Sequence, residues 1–447
     1  MPKKDSIAIT NFDKNRYICA EFAQQEWSKV WKKTWLLAGF IQDLARPGCY
    51  FTFDVGPETV VVTRTNDGEI KAFHNVCQHR GAKLIRNEFG QKSRLTCSYH
   101  AWSYGLDGAL LSAPQISGFS NGLPCEKLAL KPVKVEVWSA FVFINFDSDA
   151  QSLTNFLGEI PDEIAAYRFE KMLLTEDKSV HHQCNWKAFM DNFSELYHVD
   201  FIHPQHREFV NCAGSRSEFY PNGHTAVWVE GGTVDSHFPI PDEPNALLAD
   251  QLESLDLNPD HFNGKVSEVR RAIQVQKRIK AKERGFDFTA LSDDQLSDIG
   301  QYNIFPNLIL SFTPEACWIM RARPHPDDPQ RSYFDKYSLS LFGEVEEIND
   351  SDPASSLVAA SDGHQTQHFR LPRGAPADYQ RPQRESMQHE QIVSGEKTMD
   401  ITIDQDIHLL ADVQAGMRST GFDRVWLHDT EARVQHLHNQ IDAMIDA

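Results

Sequence analysis

What this 447-residue sequence lacks narrows its function quickly. It contains no run of 18 apolar residues, so no membrane-crossing helix is expected. The opening stretch, MPKKDSIAITNFDKNRY, has lysines but no apolar segment and no small-residue cleavage site. It does not read as a signal peptide, and the expected address is the cytoplasm, with no membrane partner. Basic charge is scarce: 44 Lys and Arg stand against 63 Asp and Glu, a formal net charge of −19. Such a chain repels phosphate backbones, so no nucleic-acid partner is expected. There is no internal repeat and no Gly-rich phosphate loop, and no flavin or nicotinamide motif is found. Cysteine is sparse, with eight residues: Cys19, Cys49, Cys77, Cys97, Cys125, Cys184, Cys212 and Cys317. In a reducing compartment these form no disulfide framework, and most read as small buried hydrophobes.

What is present suggests more than one domain. At about 150 residues per domain the length allows two or three. The 41% hydrophobic content is enough for a sizeable core. Residues 22–35 (FAQQEWSKVWKKTW) space their apolar side chains like a helix. From residue 49 to about 146, short β-rich runs (CYFTFDV, TVVVTRT, VKVEVW, AFVFINF) alternate with turns such as TNDGE and GLDG, which predicts a small antiparallel β domain. Further on, HHQCNWKAFMDNFSELYHVDFIH reads as a strand end followed by a helix, and residues 250–298 as a charged, largely helical insert. YNIFPNLILSF, CWIMRARP and YSLSLF read as strands. Residues 361–398, poor in large aliphatics and bearing prolines, suggest a long loop or lid. IDQDIHLLADVQAGM and the C-terminal VWLHDTEARVQHLHNQIDAMIDA read as helices.

Two of the cysteines keep histidine company. NVCQHRGAKL holds Cys77 and His79 as C-x-H, and LTCSYHAWSYGLDG holds Cys97 and His100 as C-x₂-H. Two such turns from adjacent hairpins can gather four ligands around a metal centre. A Cys₂His₂ set suits structural zinc, which would make the chain a zinc-stabilised small-molecule binding protein. It equally suits a Rieske [2Fe–2S] cluster, in which two thiolates hold one iron and two imidazoles the other. The spacing favours the cluster, because each turn supplies one Cys and one His and so serves both irons.

These two segments resemble the Rieske domain of ring-hydroxylating oxygenase α subunits. Arg80 and Gly81 fit the first loop of that pattern, and Trp102, Tyr104 and Gly108 the second. In the family, donors near the cluster sulfurs tune the potential, and Ser98 and Tyr99 are candidates for that role here. The resemblance continues through Asn185, Trp186, Lys187, Asn192, Phe193 and Tyr197. It implies that His198 and His203 ligate a mononuclear iron. Downstream, QDIHLLADVQAG is similar to the family's E-D…Q-x-G segment, with Gln405 in place of the Glu. It implies Asp406 as the third ligand, with Asp404 close by as the fallback. Two His and one carboxylate leave open positions on Fe(II) for O₂. Glu195, three residues before His198, falls at the family's catalytic bridging position, which joins the Rieske His of one subunit to an iron-ligand His of the next. The family often has Asp there. The Glu form is similar to subgroups acting on N-methyl or alicyclic compounds as well as rings. The histidines His181, His182, His206, His408, His436 and His438 are read as ordinary surface or core residues.

The resemblance implies an α+β fold with three parts. Residues 1–45 are expected to be a helical segment packing on the catalytic domain, and residues 46–155 an antiparallel β Rieske domain. Residues 156–447 are expected to be a helix-grip (START/SRPBCC-like) catalytic domain with an antiparallel sheet. It further implies an oxidoreductase that oxidises a small-molecule substrate with O₂ as co-substrate. Electrons come from NAD(P)H through a separate flavin/iron–sulfur reductase, with or without a ferredoxin. The expected assembly is a head-to-tail homotrimer, with a β subunit as an option. Hydroxylation of an aromatic or polycyclic ring is the leading expectation, because the long insert suits a bulky substrate. Oxidative N-demethylation of a quaternary ammonium or N-methyl compound is the alternative. It is suggested by Glu195 and by aromatics able to form a cation–π cage. Phe201, Ile202, Phe305, Phe312, Trp318 and Met320 are candidate pocket residues.

Overall fold

The computed structural model describes residues 8–342 and 379–447. They divide into two compact units. The smaller holds residues 25–156 with 325–327, and the larger holds the remaining described residues.

The smaller unit is built on a seven-stranded antiparallel sheet. Its first hairpin, Cys49–Val55 against Glu58–Arg64, turns at Gly56. There φ is +50°, and an added Cβ would meet the Trp27 ring at 2.7 Å, so no larger residue fits. The strands Pro132–Trp138 and Phe141–Asn145 form the other expected hairpin. A separate three-stranded sheet, Leu95–Thr96, Ser103–Tyr104 and Leu110–Ser112, carries the second Cys/His turn.

The N-terminal segment divides, whereas the expectation had it as one piece over residues 1–45. Residues 8–24 belong to the larger unit, where Asn11–Asp13 pairs with Arg424–Trp426. Gln25 onward belongs to the smaller unit, because Leu36–Phe40 is a strand hydrogen-bonded to Phe141–Asn145. The helix expected over 22–35 therefore ends early: an α-helix, Ala20–Gln25, gives way to a π-helical turn, Glu26–Trp31.

The larger unit is an eight-stranded sheet covered by helices. In spatial order its strands are Val210–Phe219, Thr225–Gly231, Ile299–Ile304, Leu308–Thr313, Ala316–Pro324, Ser332–Leu341, Met172–His182 and Glu385–Gln388. Every neighbouring pair is antiparallel except the last, which is parallel. The helix Trp186–Asn192 lies on this sheet through Phe189, whose ring stacks on Phe334 at 4.1 Å. Phe193, just past the helix, stacks on Phe334 at 5.7 Å. A fully buried ion network, Arg321 and Arg323 on Asp335, fastens two central strands. The opposite face carries a wall of aromatics: Tyr167, Phe169, Trp228, Tyr302 and Phe312.

The insert is helical as expected (Ala246–Ser254, Val269–Arg284, Asp293–Ser297) and has its own small core of Leu248, Leu252, Leu255, Val266, Val269 and Ile273. Three expectations need correction. The helix read through His203 ends at Asn192 and resumes only as the four-residue Val199–Ile202. The C-terminal helix begins at Ala432, because Arg424–Trp426 is recruited as a strand. The loop expected over 361–398 lies outside the described residues as far as 378. Its remainder contains the strand Glu385–Gln388 and the helix His389–Val393. Among the described residues no helix is long and apolar enough to cross a membrane.

Candidate metal centres

The two Cys/His turns of the smaller unit share one backbone plan. In the first, Cys77 N–H donates to the Ala82 carbonyl at 2.9 Å, and Gly81 N–H donates back to the Cys77 carbonyl at 3.0 Å. In the second, Cys97 N–H donates to Trp102 at 2.8 Å, and Ala101 N–H donates back to Cys97 at 3.0 Å. Both plans need a left-handed residue four positions after the Cys. Gly81 supplies it at φ +76°, and Ala101 adopts it at φ +58°.

Both thiols are free and buried. The rings of His79 and His100 meet edge-on with centroids 4.6 Å apart, and His79 stacks on Trp102 at 4.7 Å. His79 Nδ1 is buried without a hydrogen-bond partner among the described residues. Buried ring nitrogens are seldom left so, and a metal ligand is the simplest occupant for one beside two thiols and a second imidazole.

Tyr104 was seen in the sequence only as part of the motif; its hydroxyl does more. It accepts from Gln78 N–H at 3.0 Å and lies 3.4 Å from Cys77 Sγ, with its proton free to point at the sulfur. Burial first, then the Cys77 contact, pushes its pKa up, so it stays a donor. Tyr99, expected to act on a sulfur, stacks instead on His100 at 3.8 Å and accepts from Arg80. Ser98 is exposed.

In the larger unit, His198, His203 and Asp406 converge, with one ligand atom from each lying within 4.8 Å of the others. His198 and His203 cap the two ends of the short helix Val199–Ile202, which turns both rings to one side. Asp406 comes from the helix Ile401–Met417. Asp404 turns away and accepts from Met399 N–H and the Thr398 hydroxyl at the helix start.

Each imidazole is held through Nδ1, which leaves Nε2 for the shared point. Glu195 Oε1 takes His198 Nδ1–H, while its Oε2 accepts the backbone N–H groups of Tyr197 and His198. Gln405 Oε1 takes His203 Nδ1–H at 2.7 Å and also accepts from Gln205 at 2.9 Å. The sequence flagged Gln405 only as a departure from Glu, and its hold on His203 was not anticipated. Asp406 Oδ1 lies 3.1 Å from His203 Nε2 and 3.7 Å from His198 Nε2, yet it is buried without a hydrogen bond among the described residues. Burial works against a charged His198 ring, but Glu195, Asp406 and Glu431 outweigh it and raise its pKa. Once a metal takes the place of any proton on Nε2, two imidazoles and one carboxylate on one side match the donor set of a facial triad for Fe(II).

Of the remaining histidines, His206 bonds the Thr402 hydroxyl, and burial lowers its pKa to about 4. His182 lies between Cys184 Sγ and the Ile407 carbonyl, at 3.0 Å from each. The candidate pocket residues separate. Phe312 belongs to the aromatic wall on the far face, Phe305 is buried, and Phe201 is 70% exposed. Trp318 and Met320 are on the face that bears Asn303, which hydrogen-bonds Ser194 beside Glu195.

The Rieske [2Fe–2S] domain model matches residues 34–130, and the ring hydroxylating alpha subunit (catalytic domain) model matches residues 169–447. The chain is 33% identical over 180 residues to the glycine betaine monooxygenase oxygenase subunit of Chromohalobacter salexigens, covering 40% of each chain. It is 35% identical over 188 residues to the chloroplastic choline monooxygenase of Beta vulgaris, covering 41% of this chain and 42% of the relative. It thus spans about two fifths of the length of either relative. The fold is similar to that of a quaternary ammonium Rieske monooxygenase whose structure addresses carnitine oxidation and inter-subunit electron transfer. The TM-score is 0.67 at 19% identity, over 98% of this chain and 96% of the other.

Two substitutions test the supporting contacts. Tyr104→Phe removes the donor that favours the more negative cluster. It should lower the midpoint potential of the loaded smaller unit by on the order of 40–120 mV, equivalent to about 1–3 kcal/mol in a one-electron couple. An unchanged potential in a redox titration contradicts the contact. Gln405→Leu frees the His203 tautomer and should weaken iron(II) binding by about 10–100-fold in competition with a chelator, while Gln405→Glu retains it. Equal affinity in the Leu variant would remove Gln405 from the account.

Proposed function

The chain belongs to the ring-hydroxylating α-subunit family of Rieske oxygenases, and from that premise we propose that it is the oxygenase component of a monooxygenase acting on a small quaternary ammonium compound. The observation that carries the oxygenase reading is the convergence of His198, His203 and the hydrogen-bond-free Asp406 oxygen on one point. In this reading Cys77, Cys97, His79 and His100 hold a [2Fe–2S] cluster, and His198, His203 and Asp406 hold iron(II). When bound, the cluster supplies electrons singly and the iron supplies O₂ activation. Glu195 and Gln405 keep a proton on each Nδ1, so that both Nε2 lone pairs stay directed inward. The sequence carries no flavin or nicotinamide motif, so a separate NAD(P)H-dependent flavin/iron–sulfur reductase is the partner in this reading.

For the substrate, the relatives favour the second expectation over the first. Those described above are named for glycine betaine, choline and a quaternary ammonium substrate. Ring hydroxylation and aromatic hydrocarbon catabolism have less support. Family membership also displaces the zinc-stabilised binding module. The half-buried Trp318 lies on the Asn303 side of the sheet and is the aromatic side chain we assign to the cation. With two electrons from the reductase and two protons, one atom of O₂ enters an N-methyl C–H bond and the other leaves as water; the N-hydroxymethyl ammonium so formed splits into formaldehyde, a proton and the tertiary amine.

The proposed assembly is a head-to-tail trimer. His100 and Tyr99 are exposed in the smaller unit, and Tyr197, Phe201 and Ile401 are exposed around the His/Asp site of the larger.

Two measurements decide these points. With a surrogate reductase, NADH and O₂, the enzyme should release formaldehyde from a trimethylammonium substrate and form no diol or phenol from arenes; the reverse pattern returns the function to ring attack. Light scattering of the loaded protein should give three times the chain mass, and a monomer with full specific activity at dilution would exclude the trimer.

A further inference from the structure

Buried arginines in the larger unit are matched to carboxylates, with one exception. Arg321 and Arg323 both close on Asp335, at 2.7 Å each. Arg433, 1% exposed, has no ion pair among the described residues. Its Nη1 donates to Gln301 Oε1 at 3.0 Å, and its Nη2 is buried without a hydrogen-bond partner. Burial draws its pKa down to about 10, with Glu195 working the other way, so the guanidinium remains charged at neutral pH. Glu195 acts on it through space but makes no ion pair with it, its oxygens accepting from His198 and from the backbone of Tyr197 and His198. A buried cation without an ion pair and with an idle N–H is costly, and a bound anion would satisfy it.

The surroundings agree. Gln301 stands opposite Ser311, Ser311 opposite Trp318, and Trp318 opposite Ser338, so the four form a row across the middle of the sheet. All four are only half-buried, although the residues between them on the far face, such as Tyr302, Phe312 and Cys317, are sealed. The row is thus less tightly covered than the far face of the same central strands. Asn303, next along the same face, is fixed by Nδ2 to the Phe193 carbonyl at 3.2 Å and the Ser194 hydroxyl at 2.8 Å. Its Oδ1 is buried and has no hydrogen-bond partner among the described residues. An unmatched donor and an unmatched acceptor thus lie beside the segment that carries Glu195 and His198.

Resting on the quaternary ammonium reading above, we propose that Arg433 receives the carboxylate of a zwitterionic substrate, so that the enzyme takes trimethylammonium carboxylic acids in preference to amino alcohols. Arg433 Nη2–H donates to the carboxylate, with Gln301 holding the guanidinium in place. The test is calorimetric binding to the anaerobic, iron-loaded enzyme with three probes. They are glycine betaine, choline (the cation without the carboxylate) and tert-butylacetate (the carboxylate with carbon in place of the charged nitrogen).

Wild type should bind glycine betaine at least about tenfold more tightly than choline, the scale of a charge-assisted hydrogen bond. Arg433→Gln should abolish that preference and tert-butylacetate binding while leaving choline affinity unchanged. Arg433→Lys, which keeps the charge, should restore part of it and covers the case in which the Gln variant does not fold. Choline binding equal to or tighter than glycine betaine in wild type overturns the role of Arg433 while the ammonium reading stands. So does an equal loss of all three probes in a folded variant. Binding of tert-butylacetate alone, lost in Arg433→Gln, supports Arg433 and overturns the ammonium reading. Binding of none overturns both.

Discussion

The structure of the larger unit turns on one buried oxygen. Asp406 Oδ1 sits between two imidazole nitrogens without a hydrogen bond. A carboxylate taken out of water without a hydrogen bond is costly, and its pull on a proton shows in the raised pKa of His198. A divalent cation at the shared point satisfies all three groups at once. The supporting contacts follow from this need. Glu195 and Gln405 fix the ring tautomers, and Asn185 caps the helix that leads into the ligand segment. The Phe189–Phe334 stack fixes that helix on the sheet.

The smaller unit meets the same problem with a repeated turn. Cys77–Ala82 and Cys97–Trp102 close with matching backbone hydrogen bonds, which gives both thiolates the same local geometry. The two are not equal in chemistry. Tyr104 reaches the sulfur of Cys77, and the His79 ring is covered by Trp102, whereas His100 is exposed. An exposed imidazole edge is where an electron can leave, and a covered one is where the potential is protected from water.

How much of this was legible in the sequence depends on how local each signal was. The strands Cys49–Val55 and Glu58–Arg64 announce themselves by alternation around a turn, and the Cys and His ligand candidates by spacing within a few residues. Asp406 was legible because the whole segment around it resembles a family pattern, and the structure brings it rather than Asp404 to the histidines. What was hidden depends on contacts between distant residues. Gln405 meets His203 across 202 positions, and Arg433 meets Gln301 across 132. Leu36–Phe40 becomes a strand only because Phe141–Asn145 offers it an edge, which ended the expected helix early. Phe312 reads as a pocket residue by hydrophobicity alone, and its strand register turns it to the aromatic wall.

The most direct test of the central claim is an iron and acid-labile sulfide count, with an absorption spectrum, on wild type and on Asp406→Ala purified without oxygen. The account predicts a brown wild-type protein with about three irons and two sulfides per chain, and a variant still brown with about two irons. A colourless protein carrying zinc, or an Asp406→Ala variant with the wild-type iron count, would contradict it.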